Sequence, residues 1–221
     1  MSIELNIKNL RNEINQLGVE TKILLATKTQ SIESIQRALD SGISLLGENK
    51  SQELIEKIGK VKGNFNWHFI GHLQSNKVKE ILPLCSLIHS VDRFKIAQTI
   101  DKEAKKLGII QDVLIQVNTS KEESKSGFFV EDLIENCELI SKLQNINVCG
   151  LMTMAKNSQN PDDWRKCFKQ LRVCFLKIQE MKIFDDKFSE LSMGMSRDYR
   201  IAIDEGSTII RVGSTIFGDR S

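Results

Sequence analysis

"KILLATKTQSIESIQRALDSGISLLGEN", residues 22–49, places two short apolar runs on either side of a helical segment. The runs "KILLA" and "ISLLG" are short and continuous, as expected of parallel strands covered on both faces. With "SIESIQRALDSG" between them they read as one strand–helix–strand unit.

The same alternation extends outward along the chain. An opening helix in "MSIELNIKNLRNEINQL" precedes the first strand. Further strand candidates follow, so that eight centre near Lys22, Ser44, Trp67, Leu87, Asp112, Asn147, Glu190 and Thr208, most followed by a helix. The longest helix is expected from about Asp162 to Met181, with Trp164, Cys167, Phe168, Leu171, Phe175 and Ile178 as a core stripe. Two prolines, no low-complexity segment and no linker interrupt the pattern. The expected fold is α/β: a (β/α)8 TIM-type barrel, a single domain over residues 1–221 with an extra N-terminal helix. A six-stranded open sheet is the architectural alternative.

Composition narrows the partners. Lys plus Arg number 31 against 29 Asp plus Glu, a formal charge of +2, which leaves no electrostatic footprint for nucleic acid or an anionic membrane. The start lacks an apolar signal block and no later run approaches a membrane span, so a cytoplasmic protein is expected. Five cysteines, with no C-x-x-C pair, read as reduced core residues. His68 and His72 straddle Gly71 at a strand end without an acidic third ligand, so no metal site is expected.

In such a barrel the chemistry lies at the carboxyl ends of the strands. Lys28 sits just past the first, on the face shared by Leu24 and Ala26, where small Ala26 leaves room beside the amine. Taken alone, it could equally mark where the strand meets water. "MGMSRDYRIAIDEG" reads as Ser196 capping a helix with Asp198 in its first turn, and that terminus also suits a phosphate. Gly213-Ser214 offers a second backbone approach for phosphate after the last strand. Arg211, two residues earlier, is either a rim salt bridge or a planar partner for a ring nitrogen. A lysine able to form an imine, an arginine and phosphate-suited turns are together what pyridoxal phosphate requires.

"ATK", "GEN" followed by "QE" (Glu48, Asn49, Gln52, Glu53), "WHFIGHLQSNK", "EESKSGF", "GLMTM", "LSMGMS" and "RVGSTIFG" occur in order along almost the whole chain. In these motifs the sequence resembles the pyridoxal phosphate homeostasis protein family, single-domain barrels similar to the amino-terminal domain of alanine racemase. The resemblance implies that Lys28 carries pyridoxal 5'-phosphate as an internal aldimine and that Ser196, Gly213 and Ser214 hold its phosphate. It further implies that Arg211 faces the pyridine nitrogen and that Asn49 lies beside the ring. Departures from the family pattern fall at Gln30, Lys50 and Arg197.

The function so implied is intracellular homeostasis of the cofactor without efficient catalysis, by a monomer that supplies apo enzymes as transient recipients. The alternative is a pyridoxal-phosphate-dependent amino-acid racemase; an imine-forming aldolase leaves Arg211 and the ordered motifs unexplained. A racemase needs a second acid/base group. The resemblance to alanine racemase implies a tyrosine from a further domain, yet the chain stops at Ser221 and its one tyrosine, Tyr199, is expected to pack beside the phosphate loop. His72, Gln74, Asn76 and Lys77 either line the pocket or belong to a polar loop. Lys125 is read as an exposed loop lysine rather than a second aldehyde acceptor.

Overall fold

The computed structural model describes residues 2–218. Its elements run α1 (Ile3–Gln16), β1 (Lys22–Ala26), α2 (Ile32–Asp40), β2 (Leu45–Glu48), α3 (Ser51–Lys57), β3 (Asn66–Phe69), α4 (Val78–Ile81), β4 (Leu87–Val91), α5 (Phe94–Leu107) and β5 (Gln111–Asn118). They continue with β6 (Phe128–Phe129), α6 (Leu133–Ile140), β7 (Ile146–Met152), α7 (Pro161–Glu180), β8 (Glu190–Met195), α8 (Tyr199–Asp204), β9 (Ile209–Val212) and α9 (Ser214–Phe217). All eight expected strands are present. They pair in parallel in the order β4-β3-β2-β1-β9-β8-β7-β5, and β5 pairs back to β4, so the sheet closes into a barrel. The open-sheet alternative is thereby excluded. β6, unforeseen in the polar loop after β5, pairs Phe128 with Val117 outside the ring.

Strand side chains alternate across the wall and build two apolar layers. Leu24, Leu87, Leu114, Met152 and Ile209 fill the barrel interior. Leu25, Leu46, Phe69, Ile88 and Val113 face outward and meet the helices through residues such as Ile35, Ile96 and Phe168. Burying one such side chain contributes about 1.5–3 kcal/mol. At Gly47 a Cβ would come within 2.3 Å of Leu24 Cδ2, so absence of a side chain on β2 is what admits Leu24 to the interior.

The helix α7 lies within one residue of its expected span, and Cys167, Phe168, Leu171, Phe175 and Ile178 are buried as expected. Trp164 packs against that core while staying half-buried, and its Nε1 donates to Ser158 O at 3.1 Å, near the strand ends. The cysteines are unpaired, and all but Cys149 are buried. Burial pushes the thiols of Cys85, Cys137 and Cys149 up to about 12. Among the described residues no helix is long and apolar enough to cross a membrane, and no cluster of His, Cys, Asp or Glu is placed to hold a metal.

The helix α1 buries Ile3, Ile7, Leu10 and Ile14 and ties both ends of the ring together. Arg11 donates to Ser41 O and Gly42 O after α2. Asn6 Nδ2 donates to Ile216 O in α9, and Glu13 accepts from Tyr199 Oη and Arg200 in α8. The first strand–helix unit is thus fastened to the last two.

Candidate functional site

A cavity of about 660 Å³ opens at the carboxyl ends of the strands, with Ala26, Lys28, Ser196, Arg211, Gly213 and Ser214 in its wall. Five of the six residues singled out in the sequence therefore share one cavity. Asn49 lines a separate cavity of about 120 Å³ beside His72, Gln74 and Lys77, and its Oδ1 is buried without a hydrogen-bond partner.

Lys28 is half-buried in the turn that follows β1. The backbone on each side of it is held by side chains from the next unit. Thr27 N donates to Gly47 O and Thr27 Oγ1 to Glu48 Oε1. Lys57 Nζ donates to Thr27 O at 2.7 Å and to Glu48 Oε1 at 2.5 Å. Beyond Lys28, Thr29 N donates to Glu53 Oε2 at 2.8 Å. Thr29 has φ 64°, a left-handed conformation that a β-branched residue adopts only under restraint. Glu48 is fully buried and the Lys57 side chain is 9% exposed, so this ion pair is shielded from water. A buried pair of this kind contributes geometry more than net stability.

The Ser196 region differs from its sequence reading. The helix α8 begins at Tyr199 with Asp198 as its preceding residue, and Asp198 Oδ1 turns back to accept from Met195 N. Ser196 does not cap that helix, which starts three residues later and has no side-chain cap. Its Oγ instead accepts from Gly213 N and Thr215 N, each at 3.2 Å. Two backbone N–H groups converge on one oxygen, the arrangement that a phosphate oxygen also satisfies. At Gly213 a Cβ would lie 3.3 Å from Ala26 O, which leaves little space for a side chain between the ends of β1 and β9.

Arg211 is 5% exposed, yet its guanidinium reaches the cavity. It donates to Ser192 Oγ at 2.7 Å and to Thr153 O at 2.8 Å. Among the described residues Arg211 forms no salt bridge, so the rim ion pair is not seen there. Burial lowers its pKa to about 10, with the Asp198 carboxylate opposing, so it stays charged at neutral pH. Burial raises the Asp198 carboxyl above its usual value. Ser192 Oγ lies 2.9 Å from His89 Nδ1, and His89 Nε2 lies 3.0 Å from His68 Nδ1. Sequence reasoning missed Ser192, Thr153 and His89, and weighed His68 only as a metal ligand. The available signal was parity: Ser192 and His89 stand on interior positions of their strands.

Lys125 is not an exposed loop lysine. It lines the large cavity, donates to Ala155 O at 2.6 Å and pairs with Glu122 at 2.6 Å. Tyr199 is 7% exposed and its hydroxyl donates to Glu13, away from the cavity.

The sequence profile described as "Alanine racemase, N-terminal domain" matches residues 1–221. The pyridoxal phosphate homeostasis protein of Aquifex aeolicus is 43% identical over 200 residues, 90% of this chain and 87% of that one. The chain belongs to the pyridoxal phosphate homeostasis protein family. Within that family the Synechocystis sp. protein is 36% identical over 209 residues, 94% of this chain and 95% of its own. PipY of Synechococcus elongatus PCC7942, solved with PLP bound, superposes with a TM-score of 0.89 at 31% identity over 98% of this chain and 100% of that one. Alanine racemase of Clostridium difficile 630 gives a TM-score of 0.76 at 19% identity, covering 99% of this chain and 56% of that one, a likeness of fold alone.

Proposed function

We propose that this member of the family holds pyridoxal 5'-phosphate in the large cavity, carries it on Lys28, and serves the cell's supply of the cofactor rather than turnover. The observation that carries the reading is the convergence of three complementary features on one cavity. Lys28 brings a primary amine, Arg211 a fixed planar donor, and the turn at Gly213 two backbone N–H groups aimed at one oxygen. A bound pyridoxal phosphate would supply an aldehyde and an aromatic ring able to withdraw electrons. Lys28 Nζ would bond to the aldehyde carbon with loss of one water. Ser196, Gly213 and Ser214 would hold the phosphate and Arg211 the ring nitrogen. Asn49, expected beside the ring, lines the smaller cavity rather than the one proposed to hold the cofactor.

The racemase reading needs a second acid/base group above the ring. Tyr199 is tied to α1, and of the other amines in the wall Lys125 is engaged by Ala155 and Glu122 and Lys156 is paired with Asp163. A single-domain, monomeric, cytoplasmic carrier that hands its cofactor to apo enzymes is the form of this proposal.

Purified protein mixed with pyridoxal phosphate should develop a yellow chromophore that borohydride bleaches, leaving the label on Lys28. Lys28→Ala should fold and show no such band; an unchanged band would overturn the assignment. With cofactor saturating, D-amino-acid formation from L-amino acids should stay far below about 10 per second, the enzyme median, and turnover at that rate would establish the racemase instead.

A further inference from the structure

Across the barrel interior, from the β3–β4 wall to the β8–β9 wall, runs an unbroken line of polar contacts: His68, His89, Ser192, Arg211. His89 and Ser192 are fully buried, and His68 and Arg211 are 6% and 5% exposed. Such a line in an otherwise apolar interior needs every hydrogen accounted for.

The guanidinium settles the direction of the whole line, because it has donors and no acceptor. Ser192 Oγ accepts from Arg211 at 2.7 Å and sends its own proton to His89 Nδ1 at 2.9 Å. A neutral imidazole that accepts at Nδ1 carries its proton on Nε2. His89 Nε2–H therefore donates to His68 Nδ1 at 3.0 Å, and His68 in turn carries its proton on Nε2. The reverse order would leave the Ser192 hydroxyl proton buried with no other acceptor among the described residues. Neutrality of both rings is enforced by burial, which lowers His68 to about 4 and His89 well below its ordinary value.

We propose that His68, His89 and Ser192 form a one-way hydrogen-bond chain that positions the Arg211 guanidinium on the cavity floor, making them positioning residues for whatever planar nitrogen ligand Arg211 meets. The chain engages one terminal nitrogen of Arg211 through Ser192 while Thr153 O takes the other, so the plane of the group is fixed before any ligand arrives. In its ligand-binding part this proposal rests on the cofactor reading above; the direction of the chain does not.

Two measurements test it. In ligand-free, 15N-labelled protein near pH 7, long-range proton–nitrogen correlations should show His68 and His89 both protonated on Nε2. An Nδ1–H tautomer at His89 would overturn the chain whatever the protein binds. The second measurement follows the affinity for pyridoxal phosphate and the absorbance of the bound chromophore. His89→Leu removes the acceptor for Ser192 and should weaken binding about tenfold and move the band toward that of Arg211→Leu. His89→Gln, whose carbonyl accepts from Ser192 while its amide donates to His68, should restore both. In an Arg211→Leu background His89→Leu should add nothing further. Wild-type affinity and band in a folded His89→Leu, or failure of the Gln variant to rescue, would overturn the positioning role. Should His89→Leu fail to fold, the tautomers of the wild-type protein decide. Absence of any chromophore in wild type would sink the cofactor reading and leave the tautomer result standing.

Discussion

At the scale of single residues, Lys28 is set by groups other than itself. Thr27 and Thr29, its chain neighbours, are gripped by Glu48, Lys57 and Glu53. Two motifs separated in sequence meet here: "ATK" supplies the amine, and "GEN" with "QE" supplies the carboxylates that hold its turn. Replacing Glu48 by Gln takes the nearer of two carboxylates from the buried Lys57 ammonium and leaves only Glu53, at 3.5 Å; breaking such a buried pair costs up to about 3–5 kcal/mol. For a chain of this size the thermal midpoint should drop on the order of 10 °C, and capture of the aldehyde by Lys28 should slow in the surviving fold. Glu48→Gln combined with Lys57→Met removes both charges and should recover much of the midpoint. Thermal melts of the three proteins check this; equal losses in single and double variants would show that charge is not the cause. Lys28 and Arg211 were legible because parity at the end of an apolar run needs no partner. The grip on Lys28 was not, because Glu48 and Lys57 look in sequence like ordinary helix-flanking charges; the β1–β2 register sets Thr27 beside Glu48, and α3 brings Lys57 onto both.

At the scale of elements, the eight strands could be read because each is a continuous apolar run between polar turns, and the helices because their buried faces repeat at helical spacing. What could not be read was how the loop after β8 meets the loop after β9. Ser196 has the local look of a helix cap, yet its oxygen is used by donors at Gly213 and Thr215, in the next unit. A tertiary contact overrides a local preference there, with Asp198 taking the turn's own donor. If these paired loops bind phosphate, Ser196→Ala should weaken pyridoxal phosphate about tenfold or more, since a hydrogen bond to a charged group is worth about 1.5–3 kcal/mol. Binding of plain pyridoxal should hardly change. Gly213→Val should be worse, because its side chain would press on Ala26 where a single Cβ is already at 3.3 Å from the carbonyl oxygen. Titrations with both ligands check the pair; equal losses for the two would show that these residues do not read the phosphate.

At the scale of the whole molecule, two imidazoles held neutral inside the barrel make stability depend on pH. His68 has a folded pKa of about 4 against an ordinary 6.5, chiefly through burial, with Lys22 also lowering it and Glu190 opposing; His89 shifts the same way, with His68 and Arg211 adding to burial. Between those values the unfolded chain binds more protons, so stability is full above about pH 6.5 and is lost as pH falls toward 4. From pH 7 to 5, His68 alone should remove on the order of 2 kcal/mol, a window above the range where most carboxylates titrate. Melts across that window should show the midpoint falling with pH, with a shallower slope in His68→Gln; parallel slopes would refute the assignment. The closure of the ring carries a different consequence, for the order of events in time. Lys22 on β1 pairs with Ile209 on β9, nearly the whole chain apart, and the candidate site straddles that seam, Lys28 on one side and Ser196, Arg211 and Gly213 on the other. Contacts between distant chain segments carry the largest loop-closure entropy and tend to form late. If the cavity holds the cofactor as proposed, a chain emerging from the ribosome would have its amine long before the phosphate-facing loops, and could not retain the ligand until the last strand had docked. In refolding experiments, recovery of the chromophore should therefore lag behind recovery of helical signal, and simultaneous recovery would show that the seam is not the last part to close.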